Sequence, residues 1–132
     1  MVSAVFQVNE SDLPLDVEFE GEIVLSAVLS RVMAPLIVED IKSKLPLEGR
    51  AALMRDEMQI TLGIGRGNIK PIKEVKRGDI AYMPLGDNLC IYITDKTTFS
   101  PVTIIGHIES EGEQLNQLKN IRRGSKALLR AK

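Results

Sequence analysis

Short runs of alternating apolar and polar residues, bounded by turn-forming residues, recur along most of this sequence. Such alternation is typical of strands with one buried face, because successive side chains of a strand point to opposite sides of the sheet. The runs predict strands at 2–8, 16–20, 23–25, 50–54, 58–62, 79–83, 89–94, 102–108 and 127–130. With the first run counted as an extension, about eight short strands remain, which favours a mainly β sandwich or barrel.

Two other segments carry the periodicity of amphipathic helices. Residues 34–44 predict the first helix, with Pro35 in its first turn. Ser110 begins the second helix in a capping box, and we expect Gly124 to close it. Each helix needs an apolar surface to cover, and the two open ends of a barrel provide one each. Helix placement therefore favours a closed antiparallel barrel capped by two short helices.

The length and the charge distribution bound the domain organisation. A chain of 132 residues fits one domain spanning residues 1–132, with residues 1–14 as an extension or edge strand. Residues 1–22 carry acids and no bases, whereas residues 119–132 carry bases and no acids. We expect the two ends to pair within one sheet, although association into a homo-oligomer could use the same polarity.

The cysteine content, charge and hydropathy of the sequence indicate its cellular compartment. Cys90 is the only cysteine, so no internal disulfide can form, which indicates a reducing compartment. The acidic first 20 residues have the wrong charge for a signal or transit peptide. No apolar run approaches the roughly 18 residues of a membrane span. We therefore expect a cytoplasmic protein with no membrane partner.

Several motifs in the second half of the chain resemble a known family. They are Gly-Asp-Ile-Ala-Tyr-Met-Pro-Leu-Gly at 78–86, Leu-Cys-Ile-Tyr at 89–92 and Ile-Ile-Gly-His-Ile at 104–108, followed by the Leu115/Leu118 helix and a basic last strand. Together these motifs resemble small prokaryotic cyclophilin-like proteins, and the likeness covers roughly residues 15–132. The resemblance implies a closed antiparallel cyclophilin-like barrel without the enzymatic signature of classical cyclophilins.

Two aromatic positions of that family are methionine in this sequence. Met54-Arg55 stands where the family usually has Trp-Gly, and Tyr-Met-Pro-Leu-Gly at 82–86 stands where it often has Tyr-Trp-Pro-Pro-Gly. A pocket lined by methionine is softer and more adaptable than an aromatic one. We expect a ligand site on the barrel surface formed by Arg50, Met54, Tyr82, Met83, Tyr92 and Phe99.

The leading functional hypothesis is a non-catalytic or weakly catalytic binding domain for a peptide or small ligand. The first alternative is a peptidyl-prolyl cis-trans isomerase, in which an arginine would weaken the amide resonance that imposes a barrier of roughly 18–20 kcal/mol. Arg50 and Arg55 are the candidate catalytic residues. The Phe-His-Arg and Gln-Gly-Gly-Asp runs that resemble the classical cyclophilin machinery are absent from the sequence.

The second alternative is binding of an anion or nucleic acid through a basic loop at residues 66–77. This loop carries Arg66, Lys70, Lys73, Lys76 and Arg77. The glycine-rich run at 63–68 fails the spacing of a P-loop and opens no helix, so we interpret it as a flexible segment at the barrel rim. The lone Cys90 and His107 cannot complete a zinc site, and Asp56-Glu57 are interpreted as turn formers. We expect no metal and no cofactor.

Overall fold

The computed structural model describes residues 12–20, 23–110 and 112–132. These residues form the strands β1 (Asp12–Phe19), β2 (Ile23–Ser30), β3 (Leu47–Met54), β4 (Glu57–Thr61), β5 (Ile72–Val75), β6 (Asp79–Met83), β7 (Asn88–Tyr92), β8 (Lys96–Ile108) and β9 (Ser125–Ala131). The helices are α1 (Pro35–Lys44) and α2 (Gly112–Asn116), and a 3₁₀ turn over Gln117–Asn120 extends α2. Among the described residues, no helix has the length and apolar character that a membrane span requires. The strand predicted at 2–8 lies outside the described residues.

Eight of the described strands close into an antiparallel ring. The order around the ring is β2-β1-β9-β3-β4-β7-β6-β8, and β8 pairs back to β2 with Gly106 opposite Leu29. β5 pairs with the first half of β8 and is not part of the ring. The prediction of a mainly β, closed antiparallel barrel is therefore confirmed.

The two helices cover opposite ends of the ring. α1 connects the end of β2 to the start of β3, whereas α2 connects the end of β8 to the start of β9. β3 begins beside the end of β9, with Leu47 opposite Leu129. The start of β3 and the start of β9 therefore lie at opposite ends of the ring, and so do the two helices that lead into them. Ile37 and Ile41 of α1 and Leu115 of α2 are buried in the same core as the inward-facing strand residues. The expectation that two short helices cap the barrel is confirmed.

The acidic β1 and the basic β9 are neighbours in the ring. Asp16 is opposite Arg130, and the guanidinium of Arg130 forms ion pairs with the carboxylates of Asp16 and Glu18. The charges near the two ends of the chain therefore pair within one sheet, as the sequence predicts.

Local details differ from the sequence predictions at three points. Residues 12–14, assigned to an extension or edge strand, belong to β1 and pair with β2. The Oγ of Ser110 accepts a hydrogen bond from the backbone N–H of Ser26 at 2.7 Å and, among the described residues, from no N–H of α2. Gly124 has a φ of 86° and lies in the turn before β9, separate from the 3₁₀ turn that ends at Asn120.

A second, smaller core lies on the outer face of the ring. β7 is buried along its whole length, so its side chains are covered on both faces. The outward-facing Cys90 and Tyr92 of β7 pack with Val75 of β5 and Val102 of β8. β5 and the first half of β8 thus form a layer over this part of the ring. The prediction of a loop over 66–77 is wrong for residues 72–75, which are strand.

The pairing of β5 with β8 contains a wide bulge. Glu74 is opposite Thr97, but Ile72 is already opposite Val102, so residues 98–101 of β8 have no partner residues in β5. Bulges of this kind redirect side chains at the margins of sheets. Phe99 at the centre of the bulge is 85% exposed.

Candidate functional site

A groove on the outer face of the ring brings apolar and charged side chains together. This outer groove is lined by Met54, Arg55, Glu57, Gln59, Met83, Lys96 and Phe99, and its volume is about 310 Å³. Small-molecule sites typically occupy roughly 300–1,000 Å³. The outer groove is therefore large enough for a small ligand or one or two residues of a peptide.

The tight turn between β3 and β4 forms one margin of the outer groove. Arg55 and Asp56 both have positive φ, 51° and 65°, which is the geometry of a two-residue type I′ hairpin turn. Met54 lies directly opposite Glu57 across this turn. Side chains alternate along β4, so Glu57 and Gln59 face the outer groove, whereas Met58 and Ile60 belong to the main core.

An ion pair forms the floor of the outer groove. Glu57 is only 5% exposed, and its Oε1 lies 3.0 Å from Nζ of Lys96. Its Oε2 accepts a hydrogen bond from Nε2 of Gln59 at 2.7 Å. Nζ of Lys96 also donates to the backbone carbonyl of Arg55 at 2.9 Å. Lys96 therefore neutralises the carboxylate and holds the turn that carries Arg55.

Apolar side chains form the walls of the outer groove. Phe99 is 85% exposed and Met54 is 46% exposed, whereas Met83 is almost buried at 6%. Large apolar side chains grouped around a concavity with polar groups in it are a common feature of binding sites. The bulge in β8 and the turn after β3 place Phe99 and Met54 on the margins of the same groove.

Two titratable side chains, Cys90 and Tyr92, are buried behind this floor and remain neutral. Burial raises the pKa of the Cys90 thiol, and the nearby charge of Glu57 raises it further. Burial likewise raises the pKa of Tyr92, and the neighbouring Cys90 side chain raises it further. A buried thiol with a raised pKa is a poor nucleophile. Cys90 therefore has a packing role, and His107, half-exposed beside Glu109 at 3.5 Å, is a surface residue.

Seven residues were predicted from the sequence as ligand-binding or catalytic candidates. Four of them line the outer groove, namely Met54, Arg55, Met83 and Phe99. The other three lie elsewhere. Arg50 does not line the groove, and its Nη1 donates to the carbonyl of Gly124 at 3.2 Å. Tyr82 faces the main core, and Tyr92 is buried in the second core.

Sequence reasoning missed the polar floor made by Glu57, Gln59 and Lys96. Glu57 was interpreted as a turn former, but it begins β4. The available signal was the alternation along β4, which puts residues 57 and 59 on the face opposite Met58 and Ile60. Nothing in the sequence around Lys96 indicates that its side chain reaches Glu57, because that contact depends on how β8 folds back over the ring.

The basic segment between β4 and β6 is tied down by internal bonds. The carboxylate of Asp87 accepts hydrogen bonds from the backbone N–H groups of Ile64 and Gly65, and from the hydroxyl of Tyr82 at 2.5 Å. Arg66 forms an ion pair with Asp40. Arg77 donates to the carbonyls of Ile93 and Gly112.

The side chains of Arg66 and Arg77 are therefore already bonded within the chain. They are two of the five basic side chains on which the anion-binding alternative depends. The side chains of Lys70, Lys73 and Lys76 are exposed. Within the described part of the chain, no group of three or more His, Cys, Asp or Glu side chains is placed to hold a metal ion.

Comparisons with known proteins agree with this architecture. The solution structure of the hypothetical protein AF2241 from Archaeoglobus fulgidus is similar, with a TM-score of 0.74 and 24% identity, over 96% of this chain and 99% of that one. A structure of McbB in complex with tryptophan is also similar, with a TM-score of 0.70 and 16% identity. That match covers 89% of this chain but only 44% of McbB.

Sequence comparison identifies the family. No curated protein matches the sequence. The family model described as cyclophilin-like matches residues 13–130, which is nearly the whole ring together with both helices. The chain therefore belongs to the cyclophilin-like family.

Proposed function

We propose that this chain is a binding domain that holds a small molecule, or a short stretch of peptide, in the outer groove. The observation that carries the proposal is the position of Phe99, which lies in the bulge of β8 and lines the groove although its side chain is 85% exposed. An exposed phenylalanine loses its contact with water when a ligand covers it, and this burial favours binding.

The composition of the outer groove supports a ligand with both apolar and polar parts. Met54, Met83 and Phe99 offer apolar contacts, and the methionines can adjust to different shapes. Arg55, Gln59 and Lys96 offer hydrogen-bond donors. McbB, which shares the fold, has a structure in complex with tryptophan, a molecule of this mixed character. Tryptophan is therefore a reasonable first probe for this chain.

Methionine methyl groups provide a direct test by NMR. Met54 and Met83 line the outer groove, whereas Met58 is in the main core and Met33 is exposed on the turn before α1. Titration with tryptophan and with proline-containing dipeptides should shift the methyl signals of Met54 and Met83 and leave those of Met33 and Met58 in place. Absence of any shift, or an equal shift at Met33, would contradict the proposal.

Replacing Phe99 with Ala should weaken binding without affecting the fold. Burial of a phenylalanine side chain contributes roughly 1.5–3 kcal/mol, so the affinity of a bound probe should fall about tenfold or more. Leu36→Ala is the matched control, because Leu36 is 55% exposed on α1 and does not line the groove. Equal affinities in the Phe99→Ala and Leu36→Ala variants would exclude Phe99 as part of the site.

Isomerase activity remains a second proposal, favoured by the position of Arg55. Of the two candidate arginines, only Arg55 lines the outer groove. A protease-coupled assay on a proline-containing peptide tests this activity. A rate enhancement that Arg55→Ala abolishes and Arg50→Ala retains would support an isomerase. An absence of any enhancement in the unmodified protein would argue against it.

A further inference from the structure

We infer that the ligand of the outer groove is a small monoanion with an apolar body, and that Arg55 binds its negative charge. This inference depends on the proposed function, because it names the ligand class of the same groove. It follows from the charges that line the groove, the bonds that each charged group already makes, and the space available.

The charges in the outer groove do not cancel. Its charged lining residues are Arg55, Glu57 and Lys96. Lys96 pairs with Glu57, and both carboxylate oxygens are occupied, one by Lys96 and the other by Gln59. Asp56, the residue after Arg55, does not line the groove. One positive charge is therefore left over, and it belongs to Arg55.

The guanidinium of Arg55 has unused donors. Among the described residues it has neither a hydrogen bond nor an ion pair, whereas Arg66 and Arg130 pair with carboxylates and Arg77 donates to two carbonyls. A guanidinium presents five N–H donors in a planar arrangement that matches a carboxylate. Lys96 has three ammonium donors, of which two are used, so one N–H remains for the same anion.

The backbone of Arg55 is held in place before any ligand binds. Its backbone lies in a tight turn with a φ of 51°, and its carbonyl accepts a hydrogen bond from Nζ of Lys96 at 2.9 Å. Because this backbone is already ordered, only the side chain of Arg55 loses conformational entropy when the ligand arrives. The bond to Lys96 thus links the ion pair on the floor to the position of the anion-binding arginine.

The size of the outer groove limits the rest of the ligand. A volume of about 310 Å³ is at the lower end of the range of roughly 300–1,000 Å³ for small-molecule sites. Met54, Met83 and Phe99 surround room for about one ring system. The ligand class is accordingly an organic monocarboxylic acid with a single aromatic or branched apolar group.

A matched pair of probes tests the inference. Indole-3-propionate and its primary amide have the same apolar body and differ in charge. We expect the acid to bind about tenfold more tightly than the amide at low salt, measured by calorimetry and by the methyl shifts of Met54 and Met83. Added salt should reduce this ratio, because the site is open to solvent and the attraction is screened.

Variants of Arg55 identify the residue responsible. Arg55→Asn removes the guanidinium and suits the positive φ of the turn, and it should lower the acid-to-amide ratio to about one. Arg55→Lys should restore part of the ratio. Arg50→Ala is the matched control, because Arg50 is exposed on β3, the strand that leads into the turn, but donates to Gly124 outside the groove. It should leave the ratio unchanged.

The outcomes separate this inference from the proposed function. Equal binding of acid and amide, with shifts of Met54 and Met83, would keep the groove as a binding site and refute its preference for anions. A preference for the acid that survives Arg55→Asn would refute the role of Arg55. Absence of binding by either probe would refute the assigned ligand class, and tryptophan or dipeptides could still bind and support the broader proposal.

Discussion

Lys96 is the residue on which the floor of the outer groove depends. Its ammonium is the cation that pairs with the nearly buried carboxylate of Glu57 at 3.0 Å. Removing one partner of a fully buried ion pair destabilises a protein by roughly 3–5 kcal/mol. The side chain of Lys96 is 18% exposed, so we expect Lys96→Met to lower the free energy of unfolding by somewhat less than that. Urea denaturation measures the change.

Two further variants control this prediction. Lys73→Met removes an exposed lysine from the neighbouring strand β5 and should change the free energy of unfolding little. Glu57→Gln in the Lys96→Met background should recover part of the lost stability, because a neutral amide does not need a cation. Identical urea midpoints for Lys96→Met and Lys73→Met would show that the ion pair does not stabilise the fold.

At the residue scale, the sequence was sufficient for part of the groove and misleading for two aromatic residues. Met54, Met83 and Phe99 were predicted to lie near one another, and the structure places them around one groove. Tyr82 and Tyr92 were assigned to the same site but are buried. The alternation of apolar and polar residues shows which side chains of a strand are exposed only when one face of that strand is polar. β6 after Asp79 and the whole of β7 are buried on both faces, so the sequence does not show which way Tyr82 and Tyr92 point.

At the element scale, closure of the ring requires β8 to approach β2 closely at Gly106. A Cβ at this position would lie 2.1 Å from the carbonyl oxygen of Val28 and 2.8 Å from Cα of Leu29. Both are backbone atoms, so neither can turn aside. Overpacking of an ordinary core costs roughly 1–3 kcal/mol, and we expect Gly106→Ala to cost at least as much, because it forces two paired strands apart.

Thermal unfolding followed by circular dichroism checks the effect of Gly106→Ala. Gly67→Ala is the control, because a Cβ on Gly67 would meet no atom within 4 Å and the residue does not have a positive φ. The Gly106 variant should unfold at a clearly lower temperature or fail to fold, while the Gly67 variant should behave like the unmodified protein. Equal melting temperatures for both variants would contradict a close approach at Gly106.

Elements with strong local signals were predictable from the sequence. The helix predicted at 34–44 is α1 at Pro35–Lys44, and the strand predicted at 79–83 is β6. β5 and the first half of β8 were not predicted, because the polar Lys73 and Glu74 and the turn-forming Pro101 are residues more typical of loops. These two segments are strands only because they pair with each other and cover the second core. The pairing joins residues about 20 to 30 positions apart, so a short stretch of sequence does not reveal it.

At the scale of the whole molecule, the fold directs any ligand to the outside of the ring. Side chains from the strands fill the interior, and the two helices cover its ends. A small barrel of about eight strands has just enough interior to be filled by its own side chains. The outer face is therefore where the chain can vary its surface without disturbing its core, and the first half of β8 lines the outer groove there with Lys96 and Phe99.

Burial of all the tyrosine and cysteine side chains gives the molecule a characteristic response to alkali. The chain contains two tyrosines and one cysteine, and the structure buries Tyr82, Tyr92 and Cys90. Burial, together with the neighbouring Asp87, raises the pKa of Tyr82 to about 12. Burial also raises the pKa values of Tyr92 and Cys90. In an unfolded chain, cysteine and tyrosine release their protons near roughly pH 8.5 and 10.

The folded state therefore holds protons that the unfolded state releases, and its stability should fall as the pH rises above about 9. Each group that ionises only on unfolding contributes a slope of about 1.4 kcal/mol per pH unit. Tyr92→Phe should make the slope shallower above pH 10 and change stability little at neutral pH, because the buried hydroxyl has only the thiol of Cys90, a weak hydrogen-bonding group, beside it. Tyrosinate absorbance should appear only together with the loss of circular dichroism. Tyrosinate formation near pH 10 in a protein that is still folded would show that Tyr82 and Tyr92 are reached by solvent, and the double-layered packing around β7 would then be wrong.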